Sequence, residues 1–298
     1  MAELNFAYSL AGAFVGFLVG LTGVGGGSLM APLLIVLFGF NPAVAIGTDL
    51  WFAAVTKTVG GMVHHRLGSA DWKIVGRLAL GSLPAAVLTV LWLAYFHQGR
   101  LESGVLVALL GGALLLTAVL MVFKPWMNQP LRDLRMRLTP QLPTIRRRQF
   151  ALTVGGGLAV GVLVTLTSVG AGALVAVMLA ILYPLRLGTK TIVGTDIIHA
   201  VPLTMVAAIG HSWLGNVDAS LLASLLVGSI PGIVLGSLAT GRINEHLVRY
   251  ALAAMLVVQG PVIARVRVGL NRLTNRVCPS GEKQAPASSV SSRHSANR

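Results

Sequence analysis

From Leu4 to Ala264 the chain is a succession of apolar stretches separated by short polar or glycine-rich breaks. An apolar run of about 18 residues or more can cross a hydrocarbon core about 30 Å thick, so the pattern predicts an all-α, polytopic integral membrane protein. Two of the stretches are interrupted by small residues: Leu4–Thr22 followed by Leu29–Phe40, and Phe150–Thr167 followed by Ala173–Tyr183. The second pieces are too short to span unaided. Each broken pair therefore reads as one net crossing, with room for a re-entrant piece. Three continuous helices follow each pair, at about Ala43–Met62, Ile74–Phe96 and Gly104–Phe123, then Thr191–Ile209, Ala219–Thr240 and Leu247–Ala264. The expectation is about eight crossings, arranged as two four-crossing repeats. An even number per half implies repeats of parallel topology.

The two halves are visibly copies. Gly12–Gly27 aligns with Gly157–Gly172 at an offset of 145, and after a small insertion the offset becomes 147. At that offset Gly47-Thr48-Asp49 matches Gly194-Thr195-Asp196, His64 matches His211, and Leu67-Gly68 matches Leu214-Gly215. Asp71 then matches Asp218, and Gly81-Ser82-Leu83-Pro84 matches Gly228-Ser229-Ile230-Pro231. Ordered matches of this kind mark an internal repeat. The organisation is a first membrane repeat (1–123), a basic cytoplasmic connector (124–149), a second membrane repeat (150–264), and a basic, Ser-rich tail (265–298). The tail has too few apolar residues to fold.

Composition narrows the function classes. Hydrophobic residues make up 55% and charged residues 11% of 298, far from the balance of a soluble domain. The net charge of +14 would suggest nucleic acid in a soluble protein, but here the basic residues cluster at segment ends. In the eight-crossing scheme they concentrate in Arg66–Arg77, the connector and the tail. Arg100, Arg186, Lys190, Arg242 and Arg249 are left on the other side. The positive-inside rule then places both termini in the cytoplasm. Leu4–Thr22 has no basic n-region and is read as a membrane segment, not a removable signal. The one cysteine, Cys278, excludes an intrachain disulfide.

Candidate chemistry lies at the breaks and at the ionisable residues inside segments. Thr22-Gly23-Val24-Gly25-Gly26-Gly27-Ser28 and Thr167-Ser168-Val169-Gly170-Ala171-Gly172 interrupt helices where irregular backbone must line protein or a water-filled cavity. A half-helix starting near Ser28 would aim free N–H groups and a positive dipole end at an anion. Close packing through small residues is the plainer account of Gly12, Gly16 and Gly20. Intramembrane acids are costly and usually paired, solvated or functional. Asp49 and Asp196 thus read as proton carriers or organisers of the glycine loops, unless Thr48 or Asp49 merely caps a restarted helix, with Thr195 and Asp196 matching. His199 shares a face with Asp196 and reads as a proton relay or a hydrogen-bonded core histidine. Lys57 reads as an anion contact, a partner of Asp49, or a lysine snorkelling towards the end near His64, the last being the simplest. Ser69 and Asn216 look like N-caps, with Asp71 and Asp218 in the first turns that follow. No metal-ligand spacing and no phosphate-binding loop occurs.

The glycine-rich loop, the Gly-Thr-Asp triplets, His-x-x-Leu-Gly and Gly-Ser-Leu-Pro resemble the TauE/SafE sulfite exporter family of bacterial permeases (TSUP), over about residues 5–264. Many members of that family have Ser or Asn where Asp49 and Asp196 stand. The second half also departs, with Ser168 and Ala171 where the first has Gly23 and Gly26. The resemblance implies an inner-membrane secondary carrier exporting sulfite or an organosulfur anion such as sulfoacetate. Such a carrier takes a small anion and the lipid bilayer as partners, with a homo-oligomer as a further possibility, and needs no cofactor, metal or nucleic acid. The candidate substrate-binding residues are Thr22, Gly23, Gly25, Gly26, Gly27, Ser28, Thr167, Ser168, Gly170 and Gly172. Those for coupling or gating are Thr48, Asp49, Lys57, Thr195, Asp196 and His199. The competing classes are a passive anion channel and an intramembrane enzyme pairing Ser28 or Ser168 with His199.

Overall fold

The computed structural model describes residues 6–22, 29–66, 70–99, 101–138, 142–183 and 186–239. Among them the chain is helical throughout: α1 (Phe6–Thr22), α2 (Met30–Phe38), α3 (Pro42–Arg66), α4 (Trp72–His97), α5 (Ser103–Leu138), α6 (Leu142–Thr167), α7 (Ala171–Leu182), α8 (Thr189–Trp213) and α9 (Ala219–Ala239). The expected helix at Leu247–Ala264 and the tail lie outside the described residues. Among the described residues, five segments are long and apolar enough to cross a bilayer: Trp72–His97, Ser103–Leu120, Arg148–Thr167, Thr191–Trp213 and Ala219–Gly236. Large apolar side chains such as Leu10, Leu88 and Leu235 are exposed on the outside of the bundle, as a lipid-facing surface requires.

Each broken pair is a hairpin. The Tyr8 ring, near the start of α1, packs edge-on against Phe38 at 4.9 Å and Phe40 at 5.6 Å, both at the end of α2. In the second half Gln149 Nε2, near the start of the apolar part of α6, donates to the Leu182 carbonyl at the end of α7 (2.8 Å). Thr153 Oγ1 likewise meets the Tyr183 hydroxyl (2.8 Å). The short helices therefore return the chain to the side it entered from. One net crossing per broken pair is incorrect: each second piece runs back along the first, and helices of 9 and 12 residues are too short to span.

The first half, a hairpin followed by α3, α4 and α5, has an odd count of crossings, and repeats of odd count are inverted. Gly12 and Gly16 of α1 lie against the Leu225 and Ser229 backbone of α9, and Gly228 and Gly232 against Ser9 and Ala13, so α1 and α9 run parallel. The copied contact pairs Gly157 and Gly161 of α6 with Leu78 and Ser82 of α4. At the centre α3 and α8 run antiparallel, with Gly47 against the Asn216 carbonyl and Trp51 Nε1 donating to Ser212 Oγ (2.7 Å). Equivalent helices thus point in opposite directions, and the parallel arrangement is corrected to an inverted one. At these crossings a Cβ would strike the neighbouring backbone, which bears out packing as the role of Gly12 and Gly16.

α4, α6 and α8 begin at one face, which carries Lys73, Arg77, Arg148 and Arg186. Arg186 closes on Asp71 at 2.6 Å, and Arg77 donates to the Tyr183 hydroxyl at 3.1 Å. The eight-crossing scheme had put Arg186 and Asp71 on opposite sides of the membrane. Since α1 and α6 point in opposite directions, the N-terminal end and the connector also lie at opposite faces, so they are not both cytoplasmic.

The inter-helix turns are held by exchange between the halves. Thr48 Oγ1 on α3 accepts from the Asp218 N–H before α9 (3.1 Å), and Thr195 Oγ1 on α8 accepts from the Asp71 N–H before α4 (3.0 Å). Thr48, Asp49, Thr195 and Asp196 lie inside continuous helices, so the local-capping reading fails. The N-caps are Asp71, accepting from Lys73 N and Ile74 N, and Asp218, accepting from Leu221 N, Ser220 N and Ser220 Oγ. Asn216 is not a cap: it is buried and donates to the Gly99 carbonyl (2.8 Å). Gly215 has φ +69, the left-handed backbone that follows a helix end.

The Leu221 N–H, then the Ser220 hydroxyl and N–H, hold the Asp218 carboxyl below the ordinary carboxylate range. A depressed folded pKa gives stability that is complete above the ordinary value and is lost as pH falls through the folded one. Asp218→Ala should therefore cost about 1 kcal/mol at neutral pH. The deficit in thermal unfolding against the wild type should shrink as the medium is acidified.

Candidate functional site

Between the halves lies a buried group of polar side chains in an otherwise apolar interior. Asp49 and His199 are fully buried, Asp196 and Lys57 nearly so. Asp49 lies about 10 Å of helix from the start of α3, and Asp196 the same distance from the start of α8. Because those helices start at opposite faces, the two acids sit at mirrored depths. Lys57 is in electrostatic reach of Asp196 and Asp49, and His199 of Lys57. The snorkelling reading of Lys57 is overturned by burial: the residue is 8% exposed, inside the bundle and within electrostatic reach of the acids of both halves. Its repeat counterpart is Thr204, whose hydroxyl donates to the Ala200 carbonyl (2.8 Å), so the cation breaks the symmetry of the pair.

The second hairpin tip and the start of α2 reach this group. Ser168 has φ +58 and Gly170 φ +112, a local reversal after which α7 begins with Gly170 as N-cap and no side-chain cap. In the first half α2 begins after Leu29, again with no side-chain cap. The Asp49 carboxylate faces both the Ser168 hydroxyl and the Ala31 N–H at the start of α2. Neither donor closes to full hydrogen-bond geometry, and the two carboxylate oxygens and Ser168 Oγ have no other partner. The second tip and the start of the first half-helix thus meet at one carboxylate.

Other expected residues divide. Thr167 Oγ1 is committed to the backbone, donating to the Leu163 carbonyl (2.7 Å) and accepting from Val169 N (3.2 Å), so it shapes the tip instead of facing a ligand. Gly172 lies in the first turn of α7. Thr22 ends α1, and Gly23, Gly25, Gly26, Gly27 and Ser28 lie outside the described residues.

His199 Nε2 is hydrogen-bonded to Ser82 Oγ of α4 at 2.8 Å, a partner that sequence reading missed. Ser168 does not pair with His199, and His199 Nδ1 has no partner that would orient the ring as a general base. His211 is bound elsewhere: its Nε2 carries the proton and donates to the Thr165 carbonyl (2.9 Å). Among the described residues no cluster of three metal-ligating side chains occurs.

The comparisons point to a membrane permease. "Probable membrane transporter protein YjnA" of Bacillus subtilis (strain 168) is 40% identical over 260 residues, covering 86% of this chain and 98% of that protein. "Probable membrane transporter protein YdhB" of the same organism is 27% identical, over 80% of this chain and 91% of its own length. "Probable membrane transporter protein MJ0441" of Methanocaldococcus jannaschii is 24% identical, over 84% and 92% respectively. No solved structure matches. The family model described as "Sulfite exporter TauE/SafE" matches residues 8–261. With that match spanning both hairpins and both central helices, the chain belongs to the TauE/SafE family of membrane transporters.

Proposed function

We propose that the protein is a secondary carrier that moves a small anion, sulfite or an organosulfur anion, outward across the inner membrane. The observation that carries this reading is the pair of half-helices, α2 and α7, which begin inside the bundle without side-chain caps from hairpins inserted at opposite faces. Helix starts of this kind offer N–H groups and a positive dipole end to an anion. The substrate is held between the tips, by Thr22, Gly23–Gly27 and Ser28 of one half and Ser168, Gly170 and Gly172 of the other. Asp49 and Asp196 couple protons to its movement, Lys57 balances charge, and His199 is held by Ser82. The basic face is cytoplasmic by the positive-inside rule, and its cations raise the local anion concentration at the cytoplasmic mouth. The N-terminal end of α1 is then external.

Purified protein in liposomes should give saturable, counterflowing flux of one of sulfite, sulfate, sulfoacetate or thiosulfate, driven by a pH gradient. Folded protein with no saturable flux of any of them would remove the sulfur-anion assignment. Flux that never saturates and appears as single-channel conductance would replace the carrier with a channel.

A further inference from the structure

We propose that Asp49 is a tethered competitor of the transported anion: its ionised carboxylate occupies the anion seat at the start of α2, and protonation vacates it. This rests on the anion-carrier reading and says how the proton is coupled. The start of α2 is an uncapped helix N-terminus whose nearest anion is the protein's own. Asp49 is 0% exposed, and its two oxygens face the Ala31 N–H and the Ser168 hydroxyl without completing a bond to either. Those are the donors an incoming oxyanion would use. The Ser168 hydroxyl is kept on this line by the left-handed turn of its own backbone and has no competing acceptor.

Among the described residues, the surroundings leave no spare cation for a second negative charge. α2 (MAPLLIVLF) contributes no ionisable side chain. Lys57, on the same helix as Asp49, is shared with Asp196 of α8. His199 of α8 is turned to Ser82, and His211 of α8, whose Cβ lies near Gly47, is turned to the Thr165 carbonyl. The Asp218 carboxylate is occupied in capping α9. The seat therefore takes one anion at a time. Seating the substrate requires one proton on an Asp49 oxygen, and the reverse step returns that proton to water with the carboxylate back on the Ala31 N–H. One proton and one anion enter and leave the site together. A neutral Asn or Ser at this position would leave the seat permanently open.

The test follows flux in liposomes of whichever anion among sulfate, thiosulfate, sulfoacetate and sulfite the wild type carries fastest, with an internal pH dye to count protons. In the wild type the alkaline limb should appear in KM and not in kcat, with KM rising about tenfold per pH unit because only the protonated fraction is competent. Asp49→Asn and Asp49→Ser should have a KM that is low and flat with pH, retained counterflow, and no proton movement with the anion. A slope carried by kcat in the wild type would overturn the proposal even if both variants failed to fold. So would variants that keep the wild-type slope, or that lose it with KM as high as that of the wild type at alkaline pH, as a remote proton carrier would. Wild-type protein without saturable flux would instead remove the carrier reading on which the proposal stands.

Discussion

Single cysteines at Phe6 and Arg148, in a chain with Cys278 replaced by Ser, should be labelled from opposite faces of the membrane by an impermeant thiol reagent. The expected contrast is all or none. Phe6 opens α1 and is largely exposed, and Arg148 stands where α6 enters the apolar layer. The argument runs through packed backbone. α1 runs with α9, α9 runs against α8 across the short turn at 214–218, and α8 runs with α4. This last pair is joined by Ser82 to His199 at 2.8 Å and by Val90 against Gly210. α4 in turn runs with α6. Apart from that turn, every step is a contact between named residues, so α1 and α6 must be opposed. Lys73→Cys should label with Arg148→Cys on the cytoplasmic face, and Gln98→Cys with Phe6→Cys outside. Labelling of Phe6 and Arg148 from the same face would break the hairpins and restore one crossing per broken pair. Reversal of all four positions together would keep the inverted fold and overturn only the assignment of the basic face to the cytoplasm.

Much of this was legible along the chain, because a membrane helix is specified by local apolarity and a repeat by its own copy. The helices were expected within a few residues of α2 to α4 and α7 to α9, and the offset of 147 pairs Thr48 with Thr195 and Asp71 with Asp218 before any coordinates exist. Direction is what the pattern lacks. A glycine break between two apolar pieces looks the same whether the chain continues or turns back. The distinction rests on Tyr8 with Phe38 and Gln149 with Leu182, contacts made across a whole hairpin. The error then propagated: counting a hairpin as a crossing made the repeats parallel and sent Arg186 to the wrong side of its partner Asp71. The caps were misread for a related reason. Ser69 and Asn216 have the right chemistry, but Asn216 is drawn to the Gly99 carbonyl in another turn, leaving Asp218 at the helix start. Within the site, the intramembrane acids and Lys57 stood out because ionisable groups at that depth are costly. Ser82 did not, since a hydroxyl in an apolar helix gains its meaning only from His199, 117 residues away.

Lys57→Met should lower the stability of the folded protein by about 3–5 kcal/mol, the usual consequence of removing one member of a buried charged group, and should abolish flux. The side chain is buried within electrostatic reach of the acids of both halves, and Thr204, its counterpart, brings no charge to replace it. Methionine fills nearly the same volume, so the loss is electrostatic and not a cavity. The magnitude follows from what is left behind: two buried carboxylates with their shared cation gone, in an interior that solvates charge poorly. Removing an acid at the same time should undo much of that. Lys57→Met with Asp196→Asn should unfold close to the wild-type temperature in detergent, because a buried pair replaced as a unit costs far less than one broken in half. The same double variant should remain inactive, since restoring neutrality does not restore a cation for the substrate. Stability and transport thus separate in one pair of proteins. A Lys57→Met protein as stable as the wild type would mean that the ammonium reaches water after all, and the charge balance drawn between Asp49 and Asp196 would have to be abandoned.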